Sequence, residues 1–200
     1  MKKLLFIILM TIPFVAFGQT PSMGIFGNVV NTEDGTRLEL SSRKDDGGGY
    51  NLHICCRYYD LGAGQNTFLA ITIPSSKVES FKSQLKQIQT KYEEWVKTAK
   101  ANNVQNVEKD IPVSITSVSD MDGFSLSYPE KKDIKAVFFV SNFVSHCIIR
   151  ISISGYNVYQ RCEWLLNSKD FPKILSEIDR TIEHQRNYDS DKRKTDELFH

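Results

Sequence analysis

Neither sign of charge is in excess in this chain: 25 Lys and Arg stand against 24 Asp and Glu, a formal net charge of +1 over 200 residues. A near-neutral chain has no global attraction to polynucleotides or anionic membranes, and nucleic acid drops out as a partner. Histidine is scarce, at positions 53, 146, 184 and 200 only. No C-x-x-C, H-E-x-x-H or G-x-S-x-G occurs, so the usual sequence signals of a zinc site, a metalloprotease helix and a nucleophile elbow are missing. Gly62 and Gly64 form G-x-G, but no third glycine follows and the next segment reads as a strand, so the phosphate-loop pattern fails. Asp120, Asp122 and Gly123 match a fragment of a calcium loop without its further carboxylates, and a hairpin turn is the reading taken. No catalytic residue, metal or cofactor is assigned from these patterns.

Long apolar runs are also absent, with one exception at the start. Lys2 and Lys3 precede an apolar stretch from Leu4 to Phe17 that only Thr11 and Pro13 interrupt, and Ala16 and Gly18 are the small residues a signal peptidase requires. This predicts a cleaved secretory signal over residues 1–18. The stretch is short for a membrane helix of roughly 20 apolar residues, and no later segment approaches that length, so no membrane span is expected after cleavage. Gln19 and Thr20 follow, leaving no cysteine for lipoprotein acylation. The signal, and the signal alone, resembles those of exported Gram-negative proteins. The expected location is the periplasm or the medium. Loss of Lys2 and Lys3 moves the formal charge from +1 to −1.

What remains is patterned. From Gly24 to Ile73, strand-like runs are divided by Asp34-Gly35, by Asp45 to Gly49 and by Gly62 to Asn66. In residues 50–59 the alternation puts Leu52, Ile54, Cys56 and Tyr58 on one face and His53, Cys55, Arg57 and Tyr59 on the other. Pro74 ends the last of these strands, and Ser76 with Glu79 offers a capping box for a helix. Val78, Phe81, Leu85, Ile88, Tyr92, Trp95 and Ala99 then recur at alternating spacings of three and four, one apolar stripe along roughly 35 Å. Such a stripe serves either a coiled-coil seam or a helix lying across its own sheet, and the strand leading directly into it favours the second.

The order repeats. Residues 111–117, 123–128, 134–143 and 147–153 read as strands, and a second helix is predicted from about Lys169 to Arg186, with 155–167 open between strand and helix. The sequence thus predicts an α+β domain over residues 19–186: one antiparallel sheet of about eight strands with two long helices packed on one face. Its pseudo-halves are 24–101 and 105–186, each strands then helix, and residues 187–200 form a charged, flexible tail. The arrangement is similar to TATA-binding-protein-like and helix-grip architectures in topology alone, and such likeness carries no function.

Two strand faces gather the candidate chemistry. His53, Arg57 and Tyr59 on one, with His146 and Arg150 on the other, would hold a small anion if they shared a sheet face, because guanidinium groups match carboxylate or phosphate bidentately. The alternative is an ordinary polar sheet face. Convergence of His53, Cys55 and His146 would instead suit a soft metal. Four cysteines in an exported chain permit disulfides, and Cys56 with Cys147, both on the inferred core face, is one candidate pair, with Cys162 available for another. The first helix carries six lysines (77, 82, 86, 91, 97 and 100) against Glu79, Glu93 and Glu94. Glu93 and Lys97 have the spacing of an i, i+4 pair. Taken together, the residues predict an exported, non-enzymatic binding or interaction module of the bacterial cell envelope, its partner an unknown protein or a small anionic ligand. The alternatives are an envelope hydrolase with a site built from dispersed residues, or a carrier for a small apolar ligand held among Phe81, Tyr92, Trp95, Phe138, Phe139 and Trp164.

Overall fold

A computed structural model describes residues 27–60, 65–123, 131–142, 144–155 and 158–198. The predicted signal at 1–18 and the Gly62–Gly64 turn lie outside the described residues, as do most of 123–128. Alternating apolar residues form strands β1 (Gly27–Asn31), β2 (Arg37–Lys44), β3 (Tyr50–Asp60) and β4 (Gln65–Ile73). A 3-10 turn over Ser75–Lys77 leads into helix α1 (Val78–Ala101). Then come β5 (Asn106–Asp110), β6 (Asp120–Gly123), β7 (Lys131–Ser141), β8 (Val144–Gly155), β9 (Val158–Leu166) and helix α2 (Asp170–Glu197).

The α+β class holds, but the strands do not make one sheet. They make two antiparallel sheets, one of five strands in the order β1-β2-β3-β4-β6 and one of four in the order β5-β7-β8-β9. The sheet divides because β6, from the second half of the chain, pairs back onto β4 with Met121 opposite Ile71, while β9 ladders with β8. Alternation along a strand fixes which side chains face inward; it is silent about which strand lies alongside. Asp120 to Gly123 is therefore a paired strand and not a hairpin turn. Residues 111–117 are largely irregular, and the strand of this region is the polar edge strand β5. The segment left open at 155–167 contains β9. The hairpin tips are as read: Gly35 and Gly48 sit at φ +86° and +84°, where a side chain would be strained.

The apolar stripe of α1 is buried within the chain, as Val78, Phe81, Leu85, Ile88, Tyr92 and Ala99. It does not lie on the sheet that precedes it. The strands nearest α1 are β7 and β8, and α2 lies over β1, β2 and β3, so each helix covers the sheet of the other half. The helices run antiparallel: Lys82 Nζ meets Asp179 at 2.7 Å toward one end, and the rings of Tyr92 and Phe171 lie 6.3 Å apart toward the other. Tyr92 also donates to the Ser145 carbonyl at 2.8 Å, and Trp95 stands edge-on to Phe138 at 5.6 Å. Tyr92, Phe138 and Phe171 belong to one continuous core, against which Trp95 packs.

The helix ends depart from the sequence reading. No side chain caps α1 at Ser76 or Lys77. Instead the Ser75 amide donates to Asn51 Oδ1 (3.0 Å) and its hydroxyl to Asp45 Oδ2 (2.6 Å), so the β2–β3 hairpin fastens the helix entry in place of a capping box. Helix α2 extends past Arg186 to Glu197, and Asp189 on this extension accepts hydrogen bonds from Tyr50 (3.1 Å) and Gln185 (3.0 Å).

Asp170, fully buried at the start of α2, fixes that helix to the β1–β2 turn. Its carboxylate accepts from the amides of Glu33 (3.2 Å) and Asn167 (2.9 Å) and from Lys173 Nζ (3.4 Å). Asp170→Ala leaves two amide donors without their acceptor and is expected to lower unfolding free energy by about 2–3 kcal/mol. Asp170→Asn, which keeps one acceptor oxygen, should cost less. Urea unfolding followed by circular dichroism measures both, and equal losses would contradict the role given to the carboxylate.

Candidate functional site

On β3, the side chains facing away from the core are His53, Cys55 and Arg57. His53 Nδ1 lies 3.0 Å from Thr72 Oγ1 on β4. Arg57 Nε donates to Glu39 Oε1 at 2.9 Å, and Arg37 reaches the same oxygen at 3.3 Å. Cys55 is fully buried between them, and burial, helped by Glu39, pushes its thiol up to about 12, so it is neither a thiolate nucleophile nor a ready metal ligand near neutral pH. The Tyr59 side chain lies outside the described residues.

His146 and Arg150 project from β8, in the other sheet. His146 Nδ1 is 3.1 Å from Asp34 Oδ2, linking the β1–β2 turn to the second sheet. Arg150 donates from Nε to Glu163 at 2.7 Å and from Nη1 to Glu108 at 2.8 Å, and Arg161 also binds Glu163. Burial acts to raise Glu163, but Arg150 and Arg161 outweigh it and hold the carboxyl below its ordinary value. The structure therefore sets His53 with Arg57 and His146 with Arg150 on separate sheets, and it gives each arginine a carboxylate of the protein itself. Glu39, Glu108 and Glu163 were passed over in the sequence. Register is the signal that finds them: Glu163 stands directly opposite Arg150, and Glu39 opposite Cys55.

Cys56, Cys147 and Cys162 are buried free thiols of the core. Interaction with Cys56, together with burial, raises the Cys162 thiol well above the ordinary thiol range. Cys147, opposite Phe138 on β7, is raised by burial alone.

Two surface features remain. An open cleft of about 540 Å³ lies where the β2–β3 hairpin meets the two helices, with Tyr50, Ser75, Glu79, Asp179, Glu183 and Arg186 in its walls. Its charges are partly matched, since Lys82 bonds both Glu79 and Asp179 and Arg186 rests 5.8 Å from the centre of the Tyr50 ring. The second feature is the outer side of α1. The Glu93–Lys97 pair does not form, because Gln89 donates to Glu93 at 2.9 Å and Lys91 pairs with Glu94 at 2.8 Å. Lys86, Lys97 and Lys100 are exposed, and among the described residues none of the three has an ion-pair partner. At 100° per residue they fall within an arc of roughly 60° over about 21 Å of helix.

Arg150 with Glu163 is the best-shielded of these ion pairs, with side chains 12% and 27% exposed. A carboxyl depressed in the folded state adds stability above its unfolded value, and that stability drains away as pH falls through the folded one. Arg150→Met is expected to cost about 1–2 kcal/mol at pH 7, and the gap from the parent should narrow as acid takes the pH below the ordinary glutamate value and Glu163 protonates. Urea unfolding at pH 7, 5 and 3.5 reads this, and a gap that does not change with pH would refute it.

No family model, curated protein or solved structure matches this chain.

Proposed function

We propose that this is an exported, non-enzymatic interaction module of the cell envelope that meets an acidic partner protein through the outer face of α1. One observation carries the reading: Lys86, Lys97 and Lys100 stand exposed without ion-pair partners among the described residues, on a helix whose opposite face is anchored in the core, with Glu93, which accepts from Gln89, inside the same arc. Several cations on the strands are matched inside the molecule, as Arg57 is by Glu39, Arg150 by Glu163 and Lys135 by Asp110, whereas Arg43, Lys44, Lys77, Lys192 and Arg193 are exposed and, among the described residues, also lack an ion-pair partner. Charge that the fold leaves unmatched along a straight, rigid element complements carboxylates spaced along a partner. Of the rings considered for an apolar ligand, Tyr92, Trp95 and Phe138 pack against one another at 5.6–6.0 Å, which favours a filled core at that point.

The triple variant Lys86→Glu, Lys97→Glu, Lys100→Glu tests the proposal. All three positions are exposed, so circular dichroism and Tm should be close to those of the parent. Binding of a fluorescent glutamate-rich peptide, followed by anisotropy at low salt, is expected to weaken about tenfold or more in the variant, and the parent's affinity should fall steeply between roughly 50 and 300 mM salt. Affinity insensitive to both changes would refute it.

A second reading, a hydrolase with dispersed residues, has the cleft in its favour, which Glu79, Asp179 and Glu183 line together with Ser75. Glu183→Gln would abolish hydrolysis of a responsive ester or glycoside substrate while leaving peptide binding intact. Undiminished turnover in that variant would end this reading.

A further inference from the structure

Helix α2 brings two opposite charges to the cleft beside the β2–β3 hairpin. Glu183 and Arg186 line it together with Tyr50, Val78 and Ile182. A spacing of three residues on a helix sets their Cβ atoms about 5–6 Å apart, within reach of an ion pair. They do not pair with each other, and among the described residues neither has another ion-pair partner; the Arg186 guanidinium rests instead 5.8 Å from the centre of the Tyr50 ring. Tyr50 is itself tied, its hydroxyl donating to Asp189 at 3.1 Å, so the seat of the guanidinium is fixed. Arg186 makes no side-chain hydrogen bond among the described residues, which leaves its N–H donors free to bind. The other two carboxylates of the walls, Glu79 at 3.0 Å and Asp179 at 2.7 Å, are both held by Lys82. On the hairpin side the wall is glycine: Gly48 sits at φ +84°, and Gly49 packs so tightly that a Cβ there would collide with Ser75 Oγ. The cleft thus offers a ligand one carboxylate, one guanidinium and the apolar surface of Val78 and Ile182.

We infer that this cleft binds a small zwitterion, a free α-amino acid with an apolar side chain. Its ammonium meets Glu183, its carboxylate meets Arg186, and its side chain lies toward Val78 and Ile182. A guanidinium presents parallel N–H donors that fit a carboxylate in bidentate fashion, and a carboxylate accepts readily from an ammonium. A simple anion would be drawn to Arg186 and repelled by Glu183, and a simple cation the reverse; a ligand carrying both charges satisfies both groups at once. Binding breaks no internal ion pair, in contrast to Arg150, whose guanidinium is already held by Glu108 and Glu163. The volume of about 540 Å³ falls in the range of small-molecule sites, roughly 300–1,000 Å³. The inference goes beyond the proposed function and does not depend on the lysine stripe.

The test is an NMR titration of the isotope-labelled protein with L-leucine at low salt and neutral pH, followed through the amide signals of Gly48 and Gly49 in the cleft wall. Saturable shifts of both signals are expected at millimolar concentration or below. L-Leucinamide, which lacks the carboxylate, and N-acetyl-L-leucine, which lacks the ammonium, should each bind about tenfold or more weakly. Two variants at exposed positions then assign the ends of the ligand. Glu183→Gln should weaken L-leucine about tenfold and leave N-acetyl-L-leucine unchanged, because the acetylated ligand has no ammonium to lose. Arg186→Gln should weaken L-leucine by a similar factor and leave L-leucinamide unchanged. A variant that merely loosened the cleft would weaken all three ligands alike, so this cross of ligands with variants separates recognition from folding. The absence of a saturable shift up to about 10 mM L-leucine, equal affinity for the three ligands, or a uniform loss in either variant would overturn the inference.

Discussion

Everything in this molecule depends on how each sheet gets its inner face covered. A sheet with one apolar face cannot persist in water until something lies across that face, and helix is the covering available to both sheets here. The chain solves this crosswise: α1 emerges from the first sheet and lies nearest β7 and β8, and α2 emerges from the second and lies over β1 to β3. Neither half therefore contains its own lid. The halves read from the sequence are halves in element order, but the free energy of burial is shared between them, so the core of one cannot form without the other. The polar ties follow the same logic. Asp170 joins α2 to the β1–β2 turn, His146 joins β8 to that turn, and Leu165 joins β9 to Thr36, all across long stretches of chain.

This arrangement explains what could be read in advance and what could not. The buried stripe of α1 and the inward residues of β3, β4 and β8 were legible because burial on one side imposes a period, 3.6 on a helix and 2 on a strand, and the period is written in single residues. Partner choice between strands has no such local trace. The division into two sheets turns on β6 pairing with β4, and nothing in Asp120 to Gly123 announces that pairing. β5 escaped because Asn106–Asp110 is a polar edge strand held through its backbone to β7, which leaves no alternation to find. The helix entry was misread for a related reason. Ser76 and Glu79 have the right local spacing for a cap, but the side chains that fasten the entry, Asp45 and Asn51, come from a hairpin 24–30 residues earlier.

The candidate site shows the same limit at the level of charge. His53, Arg57, His146 and Arg150 were gathered by assuming one sheet; with two sheets they separate into two groups, and each arginine meets a carboxylate that register places opposite or diagonal to it. An arginine already held by two carboxylates must give up at least one of them to take a ligand anion, and the half-buried setting of Arg150 makes that exchange costly. The lysines on α1 face no such obstacle. They are exposed, their spacing is set by a helix secured along its other side, and the acidic side chains nearest in sequence are engaged by Gln89 and Lys91. A partner gains their attraction without displacing an internal ion pair. Local charge left unmatched by the fold, rather than the number of cationic groups on a face, thus decides which surface of a neutral protein is available for an electrostatic contact.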